Sequence, residues 1–407
     1  MKKINNTPKT NTPHKTWREI VTQNASDIPP YSTRITGQLP KGLNGVLYRN
    51  GPGMFERNGY RKKRLLDGEG YIQKYAIRDG KVTFTGALVE TPKFVSEEKA
   101  GKFLYPTWTT LAPGGIVRNW FRSPKNQAGV TVWPQFQNLY AYDEVQIPAR
   151  LNKDSLRFEG FDDLVERAHP IKYAAHAKYD PYAQQWLQFG VSYGRHTLLY
   201  MCAFKATGAV INIGKYKLPH PTYIHDWFFT PNYFIFLLHP VKISLAPMIV
   251  GLKSFVDAMT WHPDAGNTVL VFPRNGPYDT PQIFHTKANW MWHSINAYEE
   301  KNMIIMDFIG YDGPGEFLGD DAPLKLAMEN KPAQWEPSGP VRYVLDLKKQ
   351  TLAREVRGIW EGIAEFPMIR TRDAGMPYEQ YFYIRGEDPN AYFTNTLVKK
   401  GLNEERI

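Results

Sequence analysis

The stretch Gly45-Val46-Leu47-Tyr48-Arg49-Asn50-Gly51-Pro52, followed by Leu66-Asp67-Gly68-Glu69-Gly70, decides how this 407-residue chain is read. Strand-type residues run up to Asn-Gly and Asp-Gly pairs, which tolerate positive φ and are expected to close hairpins. The same grammar recurs along the chain. Short strand-like runs bounded by Gly, Pro, Asn and Asp are predicted at 45–49, 70–77, 81–90, 138–145, 186–193, 196–203, 233–238, 268–273, 303–308, 341–347 and 381–384. Helical signals are few: a short helix near Trp17 to Thr22, and one starting at Pro323 after Asp320 and Asp321.

With 42% hydrophobic residues the chain can bury a large core, and 14% aromatics with 32 Gly and 31 Pro favour an all-β architecture. Residues 1–30 read as a polar N-terminal arm, and residues 31–407 show no internal linker. No per-blade repeat signature is present, yet blades of roughly 40–50 residues suit the strand spacing of a propeller.

Net charge +10 alone does not identify a partner. The densest basic run, Arg57 to Arg64, reads as a solvated loop, and no nucleic-acid-binding motif accompanies it. Cys202 has no disulfide partner and lies in an apolar run, which suits a reducing compartment. No signal-type h-region or spanning stretch is present, so a cytoplasmic protein is expected. The segment 240–261 is apolar but broken by Lys242, Pro247, Lys253 and Asp257. It suits either a peripheral membrane contact or a buried connection.

Three histidine segments carry the chemistry: Ala175-His176-Ala177-Lys178-Tyr179-Asp180-Pro181, Tyr223-Ile224-His225-Asp226-Trp227-Phe228 and Trp292-His293-Ser294-Ile295-Asn296. Together with the opening stretch they resemble the carotenoid cleavage dioxygenase family. The departures are Glu69 and Tyr71, where the family usually has Asp and Met. The resemblance implies a seven-bladed β-propeller with an axial metal site, its last blade incomplete, and a helical and loop cap over one face.

The same resemblance implies Fe(II) held by His176, His225 and His293, one from each of three blades. Glu144 and Glu365, the latter in Ala364-Glu365-Phe366-Pro367, would support the ligands. Imidazole alone does not choose among iron, zinc and copper. Trp227, Phe228, Phe236 and Trp292 flank the histidines and serve equally well as tunnel wall or as plain core. The other seven histidines, among them His239, lack a family motif and are read as structural or surface residues.

The implied reaction inserts both atoms of O2 across a conjugated double bond of an apolar polyene, giving two carbonyl products, in a protein expected to be monomeric. Family members usually continue to a Glu-Pro element and a fourth histidine that are not seen before Ile407. A catalytically silent propeller that binds apolar ligands or partners is therefore the alternative expectation. Competing chemistries are poorly supported. Gly190-Val191-Ser192-Tyr193-Gly194 matches a nucleophile elbow in letters but should be a hairpin turn, and the acidic stretch Asp312 to Asp321 reads as a solvated loop.

Overall fold

The computed structural model describes residues 16–144, 146–165, 171–358, 360, 362–386 and 396–402. His14 and His169 lie outside them. All sheet pairings are antiparallel, most of them between strands that follow one another closely in sequence. The first sheet orders Ile28–Ser32, Lys81–Leu88, Glu69–Arg78 and Gly45–Met54 across its width. The second is formed by Thr131–Gln135, Asn138–Tyr142, Ala149–Leu151 and Phe158–Phe161, and the third by Lys178–Asp180, Gln185–Ser192, Leu198–Lys205 and Val210–Lys217. The fourth uses Phe228–Phe229, Tyr233–Leu238, Asn267–Pro273 and Gln282–Thr286. The fifth uses Trp290–Glu300, Met303–Tyr311, Gly339–Asp346 and Thr351–Arg357. The sixth has three described strands, Ile363–Met368, Gln380–Gly386 and Thr396–Gly401.

The chain is thus an all-β propeller with few helices, but it shows six blade sheets among the described residues, not seven. The expected seven came from the family resemblance, which presumes that most of the chain serves blades. Long insertions break that assumption: residues 89–130 separate the first two sheets, 239–266 interrupt the fourth and 312–338 interrupt the fifth. These insertions include the nine-residue helix Pro92–Ala100, capped by Thr91 and closed by Gly101 at φ +62, which the sequence reading missed. The strand Ile28–Ser32 pairs with Lys81–Leu88, so residue 30 falls inside a strand.

Packing between sheets explains the apolar runs. In Tyr233–Leu238 the side chains alternate, with Phe234, Phe236 and Leu238 meeting the third sheet's Phe189, Leu199 and Met201. On the other face, Ile235 and Leu237 meet the fifth sheet's Ile304, Met306 and Phe308. A strand buried on both faces reads as a continuous hydrophobic run. The outer strands, such as Thr351–Arg357, are largely exposed.

Two sequence expectations near the opening stretch are corrected. Asn50-Gly51 does not turn: the strand runs through to Met54, and the Asn50 amide donates instead to Ala128 O (2.8 Å), just before the next sheet, and to Thr131 O (2.9 Å) within it. Nor are Arg57, Lys62 and Arg64 solvated. They are buried, Lys62 donating to Thr107 Oγ1 (3.0 Å) and Arg64 pairing with Asp257 at 3.1 Å.

Glycine in this region serves close packing. A Cβ on Gly70 would fall 2.1 Å from the Ala128 carbonyl oxygen, whereas one on Gly51 would meet nothing within 4 Å. Gly70→Ala is therefore expected to cost about 3 kcal/mol, as overpacking against immovable backbone does, and Gly51→Ala well under about 1 kcal/mol. Urea unfolding of both variants checks the contrast.

Candidate metal centre

His176, His225 and His293 come from the inner ends of the third, fourth and fifth sheets. The His176 segment is pinned by its backbone. Ala175 O accepts from Thr131 Oγ1 (2.6 Å) and Trp133 Nε1 (3.1 Å), and His176 O accepts from Trp227 Nε1 (2.8 Å). His225 precedes Phe228–Phe229, and the Asp226 side chain caps the next backbone N–H, that of Trp227, at 2.8 Å. His293 lies within a strand whose pairing register slips between Met291 and Ser294. Such an irregularity re-aims a side chain that a regular strand would hold in its pleat.

The three rings converge. Nε2 of His176 lies 3.0 Å from Nε2 of His225, and one ring nitrogen from each histidine falls within 4.8 Å of the others. Two rings are held from behind by carboxylates. His225 Nδ1 is 2.8 Å from Glu144 Oε1 and 2.9 Å from the Tyr223 hydroxyl, which donates to Glu144 Oε2 at 3.0 Å. His293 Nδ1 is 2.5 Å from Glu365 Oε2, while Tyr311 donates to Glu365 Oε1 at 2.8 Å and Phe366 N–H to Oε2 at 2.7 Å. A carboxylate at Nδ1 places the proton there and leaves the Nε2 lone pair facing the centre.

Charge is arranged to match. Burial holds the His176 pKa well below the ordinary imidazole value, and repulsion from His225, His293 and Lys178 adds to the effect against an opposing attraction to Asp226. Burial also disfavours a charged His293, but Glu365 and Asp226 outweigh it and its pKa is raised. Asp226 is buried, yet Lys178 at 2.7 Å and the nearby His176 hold its carboxyl well below the usual range. It also accepts from Ser294 N–H and Oγ, both at 2.7 Å, which ties the second histidine segment to the third.

One wall is aromatic. Trp292 meets the His225 ring edge-on at 5.0 Å between centroids, Phe317 lies 4.7 Å from Trp292, and Tyr223 stacks on Trp290 at 6.0 Å. Of the four expected tunnel residues, Trp292 is the one whose ring packs on a histidine. Trp227 and Phe236 stack on each other between the third and fourth sheets, and Phe228 packs between the fourth and fifth.

Several neighbours were not anticipated. Tyr223 and Tyr311 steady the two glutamates. The stretch Asp312 to Asp321 is not simply solvated, because it inserts Phe317 and the buried Glu316, whose Oε2 accepts from Trp292 Nε1 at 3.2 Å. Burial, then Glu365, pushes the Glu316 carboxyl well above its ordinary pKa. His239 is structural as expected. It contacts Asn289 O at 2.9 Å, accepts from Met291 N–H, and is pushed down to about 4 by burial.

The donor set fits a divalent metal. Two imidazole nitrogens each about 2.1 Å from one ion, at a right angle, would lie about 3.0 Å apart, the separation seen between His176 and His225. The imidazole nitrogens supply the lone pairs, and the carboxylates behind two of the rings supply balancing negative charge.

Comparison with known proteins agrees with this architecture. The family profile described as retinal pigment epithelial membrane protein matches residues 21–406. The apocarotenoid-15,15'-oxygenase of Synechocystis sp. is 27% identical over 362 residues, covering 86% of this chain and 72% of that protein. The isoeugenol monooxygenase of Pseudomonas putida is 26% identical over 379 residues, covering 91% and 75%. Among solved structures, a single-residue variant of the Synechocystis apocarotenoid oxygenase superposes with a TM-score of 0.85 at 25% identity, covering 94% of this chain and 81% of that one. The cobalt-substituted form of that oxygenase superposes at 0.83 with 25% identity, covering 94% and 83%. A profile match over nearly the whole length, on a propeller whose inner strand ends bring three histidines together, establishes that this chain belongs to the carotenoid oxygenase family of the retinal pigment epithelial membrane protein.

Proposed function

We propose that the chain is an Fe(II)-dependent dioxygenase that cleaves a conjugated double bond of a carotenoid or apocarotenoid, consuming O2 and giving two carbonyl products. The observation that carries this reading is the convergence of His176, His225 and His293 with Glu144 and Glu365 behind two of the rings. The cobalt-substituted relative supports a metal at this kind of site. When bound, Fe(II) would supply a coordination position at which O2 is activated beside the substrate.

The protein's share is binding, orientation and exclusion of water. The glutamates and tyrosines fix the tautomer and tilt of the His225 and His293 rings. Trp292, whose ring packs on His225, supplies apolar surface beside the centre, and Tyr223, Trp290 and Phe317 pack behind it as buried core. The balance is simple: one carbon–carbon double bond and one O2 become two carbon–oxygen double bonds, with no external reductant.

Peripheral membrane contact through 240–261 belongs to the same reading, since polyenes partition into lipid. The segment divides its side chains: Phe255, Val256 and Ala258 are buried, while Ile249, Val250 and Leu252 are exposed. No helix among the described residues is long and apolar enough to cross a membrane.

The test is product analysis. Iron-loaded protein is incubated under 18O2 with β-apocarotenals, a carotenoid and, because isoeugenol monooxygenases are relatives of similar identity, isoeugenol and a stilbene. Paired carbonyl fragments carrying the label from a polyene support the reading. Cleavage confined to the phenolic substrates would move the substrate class, and no labelled carbonyl from any of them would overturn the dioxygenase.

A further inference from the structure

Ser294 stands where the inner strand of the fifth sheet leaves a regular ladder. Met291 pairs with Gly310, Ser294 with Phe308 and Asn296 with Asp307, so the register slips by one residue on each side of Ser294. The first of these slips carries His293. A bulged residue loses its ladder partner and bends the strand, so two slips in succession need outside support to hold one shape. That support is Asp226, whose Oδ2 accepts from the Ser294 N–H and from the Ser294 hydroxyl, both at 2.7 Å.

Lys178 closes the triangle. Its ammonium donates to Ser294 Oγ at 2.7 Å and pairs with Asp226 Oδ1 at 2.7 Å. Both partners are buried, while the Lys178 side chain is 20% exposed. Each corner belongs to a different histidine segment: Lys178 is two residues past His176, Asp226 follows His225, and Ser294 follows His293. Charge-assisted hydrogen bonds of this length are among the strongest that side chains make.

We propose that Lys178, Asp226 and Ser294 form a positioning clamp that aims His293 at the centre, and that this aim sets the affinity and ligand field of a divalent metal held there. The His293 ring centroid lies 5.0 Å from that of His176 and 5.2 Å from that of His225, so a small swing of the bulge takes its nitrogen out of reach of a shared ion. Ligand rings have to be held to within roughly 0.5 Å of the productive geometry. Charge does not account for the triangle, because an ammonium beside the centre repels a dication while the carboxylate paired with it attracts one. The inference rests on the metal-centre reading above and adds the residues that orient the third ligand.

Anaerobic Co(II) titration of the full chain tests it, read both by affinity and by the visible d–d absorption of the bound ion at saturation. Lys178→Met deletes a positive charge, so a purely electrostatic role predicts tighter binding. The clamp predicts the opposite sign: binding about tenfold weaker, the lower end of what an outer-sphere partner is worth, with an altered absorption spectrum even at saturation. Lys178→Arg can still donate to both partners and should restore most of the affinity and the original spectrum. Lys178→Met combined with Asp226→Asn leaves the net charge of the pair unchanged and strands no buried carboxylate. It should also bind more weakly, and it serves where the single variant does not fold. Arg342→Met is the structural control, since it breaks the 2.7 Å pair with buried Asp307 on the neighbouring strands of the same sheet. Its thermal stability should fall while Co(II) affinity and spectrum stay as they are. An equal loss of affinity in that control would show general loosening and overturn the clamp, as would unchanged or tighter binding by Lys178→Met. Absence of Co(II) binding by the unmodified protein would overturn the metal-centre reading as well.

Discussion

His225→Ala is expected to abolish stoichiometric metal binding and to lower cleavage more than about 100-fold, beyond the upper end of what a single outer-sphere partner is worth. The reason is geometric. His225 Nε2 lies 3.0 Å from His176 Nε2, and its Nδ1 faces Glu144 and Tyr223. Removing the ring deletes one donor and strands a buried carboxylate, which costs about 1–3 kcal/mol of stability as well. Metal analysis after anaerobic loading, paired with thermal unfolding, separates the two effects. His176→Ala removes a more exposed ring that lacks a carboxylate within ion-pair distance, so its metal loss should come with a smaller stability change. Full metal occupancy in both variants would rule out these residues as ligands.

Glu365→Gln should weaken metal binding about 10–100-fold, because the carboxylate 2.5 Å from His293 Nδ1 holds the tautomer whose Nε2 is free to coordinate. The amide is nearly isosteric, and the Tyr311 hydroxyl can still donate to its oxygen. Folding should therefore survive while affinity falls. Glu144→Gln should behave alike through His225. Glu316→Gln gives the contrast: its partner is the Trp292 indole, not a ligand ring, and metal affinity should be nearly unchanged. Titration with Fe(II) or Co(II) under anaerobic conditions reads all three, and a Glu316 effect as large as that of Glu365 would contradict the assignment.

Much of this arrangement was legible before the structure. Strand-type composition bounded by turn residues marked the central strands, since a strand buried on both faces, such as Tyr233–Leu238, must be apolar throughout. The histidines were legible because each sits in a distinctive local motif, and Glu365 because Ala-Glu-Phe-Pro follows the same logic. Blade number was not legible, because insertions at 89–130, 239–266 and 312–338 consume residues without adding blades.

The same insertions hid the remaining site residues. Glu316 lies in a glycine- and acid-rich stretch whose composition belongs on a surface, and only its contact with Trp292 buries it. The basic run from Arg57 to Arg64 misled for the same reason: its partners, Glu98, Thr107 and Asp257, are distant in sequence. Tyr223 could have been found, because an extended chain puts residues two apart on one face and His225 follows at that spacing.

The most direct test of the central claim is anaerobic titration of the full chain with Fe(II), comparing wild type with the variant in which His176, His225 and His293 are all alanine. The account predicts saturation near one ion per chain for the wild type and no saturable binding for the triple variant. Equal uptake by both proteins would contradict it.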